Sequence, residues 1–562
     1  MYNFSLKLIV QIFLIIIFFS TLQARNQDRF DKGNYISDYF SGILLLNDNQ
    51  YNASYKFFKK LNGLEDRHVN YSSKYLSSLI NSGKFNEAFN YSRKLEKKNL
   101  NSFESDLIIG VYFLKNKKYS LASKYFLKTK KKNNGFLINN FVSNSLTNWI
   151  SFRKIDFDIA KKKIESMDQR FENLKNIQNI FLHCFYKSQK TELLFKDLSS
   201  GKAIDFSRYN YFYANYLVDM GKIDQAKEII NSSLKLYPRN LLLNQYKLNL
   251  KSGKIENNFD CQNLSHIIAE IFYITANALS SQNIFTFSNF YLNLSKYLNE
   301  DFHSFDSLLA ENFYKSEDFL LAKKIYKGLG EKGDAFYWYS AKQNAKILIK
   351  EKKQPQAIKL ISNTYEKLSE KNIYETFDYA VFLKNNDQFQ ESVKFYTKII
   401  EKIDKDHPLY SKVTDGRGVA YERLGEWDKA EKDLLSSLDS NPNQAYVINY
   451  LAYSWIEQGI KIEQALKMLK KANSLKSNDP YIIDSLGWAL FKLKRYKDSK
   501  IYLQSAVKLM PADPIVNDHY GDVLWMSGNK IQARYFWNYV LNLQEAEKDL
   551  KDIISKKLIS GL

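Results

Sequence analysis

A 34-residue spacing governs this chain. Gly418, Ala452, Gly487 and Gly521 stand 34, 35 and 34 residues apart, and twelve or thirteen residues after each comes a second small residue: Ala430, Ala465, Ser499 and Ala533. Seven residues after each comes a turn position, held by Gly425, Gly459, Lys494 and Gly528. Small side chains at fixed offsets let two helices of a hairpin approach closely, and a residue with positive φ between them reverses the chain. A unit this short cannot bury its apolar face alone, so it must stack on copies of itself. The spacing predicts an all-α chain of stacked helix hairpins.

The phase continues upstream with looser steps. Ala380 pairs with Ser392, Ala345 with Ala357 and Ala310 with Ala322, each twelve residues on. Ala214 and Ala226 are a further pair, with Gly221 as the turn and Pro238 as the terminator. Near the start Gly42, Leu76 and Gly110 are followed by Ser54, Ala88 and Ala122. Gly83 and Asn49 take the turn position there, while Lys117, with Asn116 before it, marks the third turn weakly. Two stretches resist. Residues 136–208 offer only weak matches such as Asn148 with Ala160, and between Arg239 and Phe287 the register is lost, with Gly253 to Asp260 reading as a loop. A helix–turn–helix period of 34 residues resembles that of tetratricopeptide repeats, which implies a superhelical solenoid of about 12–14 helix pairs. The expected organisation is 1–24 as signal peptide or membrane anchor, 25–135 as N-terminal repeats and 136–208 as a degenerate helical region. Residues 209–410 follow as divergent repeats, 411–545 as well-matched repeats and 546–562 as a helical tail.

At 562 residues the chain exceeds what one globular core sustains, a limit that stacked repeats avoid. Hydrophobic residues make up 45 % and prolines number seven, several of them where helices should end, which suits a folded, nearly all-helical chain. The net charge of +21 invites nucleic acid or an anionic membrane as a partner, but runs such as Lys130–Lys132 and Lys161–Lys163 read as solvated helix faces, and nucleic acid is not the expected partner. Cys184 and Cys261 lie 77 residues apart, more than two repeats. A solenoid brings only adjacent repeats together, so a disulfide between them is not expected. At the N-terminus, Lys7 precedes the apolar run Leu8–Phe19, and Ala24 offers a small residue for cleavage. That is the pattern of a cleaved export signal, leaving an envelope or periplasmic protein; the alternative is an uncleaved anchor over residues 4–22. No cysteine near the cleavage region supports a lipoprotein anchor.

The segment from Gly416 to Leu541 resembles the C-terminal module of a family of exported or membrane-associated proteobacterial tetratricopeptide-repeat proteins. The matching runs are Gly418–Gly425, Asn449–Ser454, Asp484–Leu490, Leu509–Pro514 and Asn517–Asp522, with Trp525. The resemblance implies a helical scaffold that holds other proteins and names no client. In such repeats the first helix of each pair lines a concave groove. Carried over by position, the groove residues are Tyr446, Asn449, Tyr453 and Ile456; then Tyr481, Asp484, Trp488 and Phe491; then Ile515, Asp518, Asp522 and Trp525. Aromatic anchors among a few polar groups suit an interface hot spot, although Trp488 and Trp525 equally suit packing between neighbouring repeats and Phe491 suits packing better. The lysine and asparagine clamp for a peptide carboxylate is replaced by Asn449, Asp484 and Asp518, which favours a client segment rich in aromatic or basic residues. No Gly-rich phosphate loop, His-Glu-x-x-His or Cys-x-x-Cys is present, and the six histidines are scattered. Neither catalysis nor a cofactor or metal is expected, and the expected role is a protein-binding scaffold. The alternative is a cytoplasm-facing tethered scaffold whose basic middle region meets an anionic membrane or nucleic acid.

Overall fold

The structure is a computed structural model that describes residues 33–68, 70–132, 137–200, 207–254 and 258–562. The expected signal or anchor, residues 1–24, lies outside the described residues. Among the described residues there are thirty α-helices and no β-strand, and no helix is long and apolar enough to cross a membrane. The chain divides into two compact units, Met1–Ser369 and Glu370–Leu562, a boundary some forty residues before the one the repeat phase suggests.

In the first unit the helices are α1 (33–47), α2 (Tyr51–Lys60), α3 (Tyr71–Asn81), α4 (Phe85–Lys97), α5 (Phe103–Lys115), α6 (Tyr119–Lys131) and α7 (Leu137–Phe152). They continue as α8 (Phe157–Glu165), α9 (Glu172–Phe185), α10 (Thr191–Ser200), α11 (Ser207–Asp219), α12 (Ile223–Leu236) and α13 (Leu241–Lys251). The last six are α14 (Leu264–Ser281), α15 (Phe285–Leu298), α16 (Ser304–Lys315), α17 (Phe319–Gly330), α18 (Asp334–Lys350) and α19 (Gln354–Lys367). The second unit holds α20 (Ile373–Lys384), α21 (Phe389–Ile400), α22 (Tyr410–Arg423), α23 (Trp427–Ser440), α24 (Ala445–Glu457) and α25 (Ile462–Leu475). It ends with α26 (Pro480–Lys492), α27 (Tyr496–Leu509), α28 (Pro514–Met526), α29 (Lys530–Asn542) and α30 (Lys548–Ser560).

The small residues sit where helices meet. A Cβ on Gly487 would lie 2.7 Å from Leu503 Cγ and 3.1 Å from the Leu503 backbone nitrogen, which cannot retreat. Where the second small residue is serine, its hydroxyl donates to the carbonyl of the first: Ser54 to Gly42 (2.7 Å), Ser288 to Ala276 (2.7 Å), Ser392 to Ala380 (2.9 Å) and Ser499 to Gly487 (2.8 Å). The turn seven residues after the first small residue is left-handed in hairpin after hairpin, but glycine is not required there. Asn49, Lys117, Asn283, Glu317, Lys352, Asp387 and Lys494 all take φ between 56° and 62°. The helix C-terminus compels it, because the next two N–H groups must reach back to orphan carbonyls, as Lys494 to Phe491 (2.8 Å) and Arg495 to Leu490 (2.9 Å) do.

Two expectations are corrected here. The register is not lost throughout Arg239–Phe287: α14 and α15 form a regular hairpin with Ala276, Asn283 and Ser288 at the three repeat positions. Among the described residues of that stretch, α13 breaks phase. The second correction concerns the cysteines. Cys184 and Cys261 are paired in a disulfide, with Cα atoms 5.9 Å apart. The reason is that the first unit folds back on itself, so residues far apart in sequence meet. Hairpin α14–α15 packs against the first helices of earlier repeats, α14 on α5 and α7, α15 on α3 and α5. The segment before α14 is pinned by Asn215 donating to the Phe259 carbonyl (2.7 Å) and Asn299 to the Asn258 carbonyl (2.9 Å), which sets Cys261 beside the end of α9.

Polar groups close the first unit. Asn312 donates to Ser288 and Asn289 (both 2.8 Å), Asn289 to the Tyr51 hydroxyl (2.9 Å), Tyr51 to Asn49 (2.7 Å) and Asn49 to Ser316 (3.0 Å). Deeper, Arg208 on α11 grips Glu270 on α14 with two 2.7 Å bonds, donates to Ser304 at 3.1 Å and lies 3.7 Å over the Tyr273 ring. A buried ion pair survives desolvation only with this kind of bidentate geometry and added partners.

Candidate functional site

In the second unit each first helix, α20, α22, α24, α26 and α28, is braced by its second helix, and α20 packs on α22, α24 on α26 and α26 on α28. Residues three before the small position form one row across them: Phe377, Asp415, Asn449, Asp484 and Asp518. Residues one after it form the next: Val381, Val419, Tyr453, Trp488 and Asp522. Helical geometry puts these rows on one face, because positions three and four apart are neighbours.

Of the expected groove residues, Tyr446 and Tyr481 are 55 % and 56 % exposed, and Ile515 is also exposed. Tyr446 donates to Asp479 (3.0 Å), and Lys476 lies 4.1 Å above its ring. Tyr453, Phe491 and Trp525 are half-buried, while Ile456 is buried. Trp488 is only 7 % exposed: it stacks on Phe491 (4.7 Å) and His519 (3.9 Å) and donates to Glu457 on the preceding first helix at 2.6 Å. That is a packing role between neighbouring repeats.

The acids divide by what fills them. Asp484 is buried and accepts from His519 Nδ1 at 2.9 Å. Asp518 and Asp522 are buried around Lys557 of α30, whose Nζ lies 2.7 Å from Asp518 Oδ1 and 2.7 and 2.8 Å from the two oxygens of Asp522. Trp537 adds a donor to Asp522 at 3.0 Å. Burial alone would lower the His519 pKa, but the charges of Asp484, Asp518 and Asp522 leave it raised. Burial pushes Asp522 up to about 6, with the Asp518 charge adding to the rise and Lys557 opposing it. At the other end of the row nothing comparable is supplied. Asp415 makes no hydrogen bond or ion pair among the described residues, and burial pushes it up to about 6 against a smaller opposing pull from Lys384. One repeat on, Asn449 Oδ1 is sealed from solvent without a donor.

Sequence reasoning missed Asp415, His519 and Lys557. Asp415 was within reach by counting one repeat further back. His519 follows Asp518 directly but lies off the counted groove positions, and Lys557 stands in a tail with no repeat phase. In the first unit a cleft of about 1180 Å³ opens between the α1–α2 turn and α15–α17. Its lining mixes Asp48, Asp306 and Asp318 with Lys296, Lys324 and Lys332, and none of the orphaned buried polar atoms belongs to it. No group of three or more His, Cys, Asp or Glu side chains is placed to hold a metal ion among the described residues.

Comparison with known proteins agrees with the repeat architecture. The tetratricopeptide-repeat family model matches residues 207–240 and 482–513. The TPR repeat-containing protein PA4667 of Pseudomonas aeruginosa is 28 % identical over 144 residues, 25 % of this chain and 23 % of that protein, so the chain spans about a quarter of that relative's length. Among solved structures, MamA from Desulfovibrio magneticus aligns over 31 % of this chain and 97 % of its own at 15 % identity and a TM-score of 0.28. YrrB, described as a TPR protein with an unusual peptide-binding site, aligns over 33 % and 92 % at 15 % identity and a TM-score of 0.27. A repeat protein from Parabacteroides merdae aligns over 39 % and 85 % at 16 % identity and a TM-score of 0.33.

Proposed function

We propose that this chain, built of tetratricopeptide repeats, is a non-enzymatic scaffold of the cell envelope that holds segments of client proteins on the first-helix face of residues 370–562. The observation that carries the reading is the row of recessed acids on that face, flanked by the exposed rings of Tyr446 and Tyr481. In the first unit the corresponding face of α3, α5 and α7 is covered by the chain's own α14–α15 hairpin, so a client finds less room there. Exposed tyrosines beside buried carboxylates give apolar area together with charge selection, the usual composition of an interface centre. A photo-crosslinking amino acid in place of Tyr481 tests this in native cells. Specific protein adducts are expected, and their absence, with adducts instead from the same probe at the exposed Ile159, would overturn the choice of face.

The envelope location draws support from the Cys184–Cys261 pair, since structural disulfides persist in oxidising compartments. It also draws on the N-terminal apolar run. The second reading, a tethered scaffold facing the cytoplasm, draws on the charge of the first unit: residues 1–369 carry 54 Lys and Arg against 34 Asp and Glu. Alkylating thiols in acid-quenched cells separates the two. Export is expected to leave both cysteines protected until reduction, with a mature N-terminus near Arg25, whereas free thiols and an intact Met1 favour the tethered form.

A further inference from the structure

We propose that Asp415 and Asn449 form a subsite for a lysine or arginine side chain of a partner polypeptide, an assignment that rests on the protein-binding reading of this face. The row to which they belong supplies the precedent. Asp484 holds a histidine and Asp518 a lysine, both from this same chain, so the row's chemistry is the capture of cationic nitrogen. The α30 helix that brings Lys557 packs on α29, at the far end of the row. Asp415, three helix pairs upstream of Asp518, has no such guest. Lys384 on α20 acts on it through space without pairing.

Two groups at equivalent positions of successive repeats share one requirement. Asp415 has no hydrogen-bond or ion-pair partner among the described residues, and Asn449 Oδ1 is sealed from solvent without a donor. A partner that satisfies them must donate several N–H groups and carry positive charge, which among side chains means an ammonium or a guanidinium. A phosphate-bearing partner is refused by the same carboxylate. Keeping Asp415 ionised also weakens the fold, because burial raises it to about 6 and no partner compensates at neutral pH. Charged groups held at a cost to stability concentrate at working sites.

The test uses the full chain and an array of dodecapeptides of graded Lys and Arg content, probed with wild type, Asp415→Asn and Asp439→Asn. Asp439 is an exposed acid on α23 paired only with Lys405, so its variant makes the same charge change away from the row. Wild type and Asp439→Asn are expected to bind more strongly as basic content rises, and to lose that binding with added salt. Asp415→Asn should bind at least tenfold more weakly while its Tm equals or exceeds that of wild type. Equal binding by both variants, binding indifferent to basic content, or a lowered Tm for Asp415→Asn overturns the subsite. Preference of wild type for a polyanion over basic peptides overturns it as well. If Tyr481 crosslinks protein in cells while the array shows no basic preference, only the subsite fails; if neither reports a polypeptide, the protein-binding reading fails with it.

Discussion

The two units are made from the same hairpin and put its first-helix face to opposite uses. In residues 1–369 the chain turns back and lays α14–α15 against α3, α5 and α7, sealing the contact with the Asn49–Tyr51–Asn289–Asn312 network and the Cys184–Cys261 link. In residues 370–562 the face is filled from within at one end only, where Lys557 enters between Asp518 and Asp522. The charges part in the same way: almost all of the net +21 lies in the first unit, whereas the second carries 28 Lys and Arg against 27 Asp and Glu. The repeat therefore determines a surface, and what the chain does next determines whether that surface is a core or an interface.

The contrast breaks most sharply at Glu270. Glu270→Ala leaves Arg208 buried without its carboxylate and should destabilise the first unit by about 4 kcal/mol. Hydrogen exchange resolved by segment is expected to show that loss in residues 33–369 while the second unit stays protected; loss in both would mean that the units are not separate. Trp488→Ala is the matching change in the second unit. Its stacking on His519 and Phe491 and its bond to Glu457 predict a loss of about 3 kcal/mol confined to residues 370–562 in urea melts, against a binding-only role, which would leave the melt unmoved.

Acid sharpens the comparison. In the first unit Lys94, Lys98 and backbone N–H groups hold Glu65 at about 2 although burial opposes them, so its contribution is present above its unfolded pKa and is lost as pH falls toward 2. In the second unit Asp415 and Asp522 are raised to about 6 and His519 is raised too, so their contributions are present at low pH. The carboxyl contributions are lost between pH 4 and about 6, and that of His519 as pH rises beyond its unfolded value. Exchange protection of the second unit should fall relative to the first between pH 4 and 7, and parallel profiles would contradict the assignment. The smallest effect is expected at Lys492, whose Nζ lies 4.7 Å from the Trp488 ring. Lys492→Ala should cost at most about 0.5–1 kcal/mol, and a loss as large as that of Trp488→Ala would show the face to be misassigned.

Much of this architecture is legible in the residues. Gly487 and Ser499, or Ala310 and Ala322, announce a helix crossing because only small side chains fit there, and that constraint is local. The turn residues announce themselves less well, since Lys117, Glu317 and Lys494 take the left-handed conformation for the sake of backbone hydrogen bonds that any residue can make. The hairpin Ala276–Asn283–Ser288 was readable by the same offsets and is obscured only by the unpaired α13 that precedes it. What the sequence by itself determined is therefore the repeat, its period and the identity of the residues on each face. Only the tertiary structure decided that α14–α15 covers the first unit's inner face, that Cys184 meets Cys261, and that Lys557 rather than solvent faces Asp518 and Asp522. The physical reason is range: packing within a hairpin is set by neighbours up to 34 residues away, whereas these contacts join residues 35 to 267 positions apart and depend on the curvature accumulated over the repeats between them.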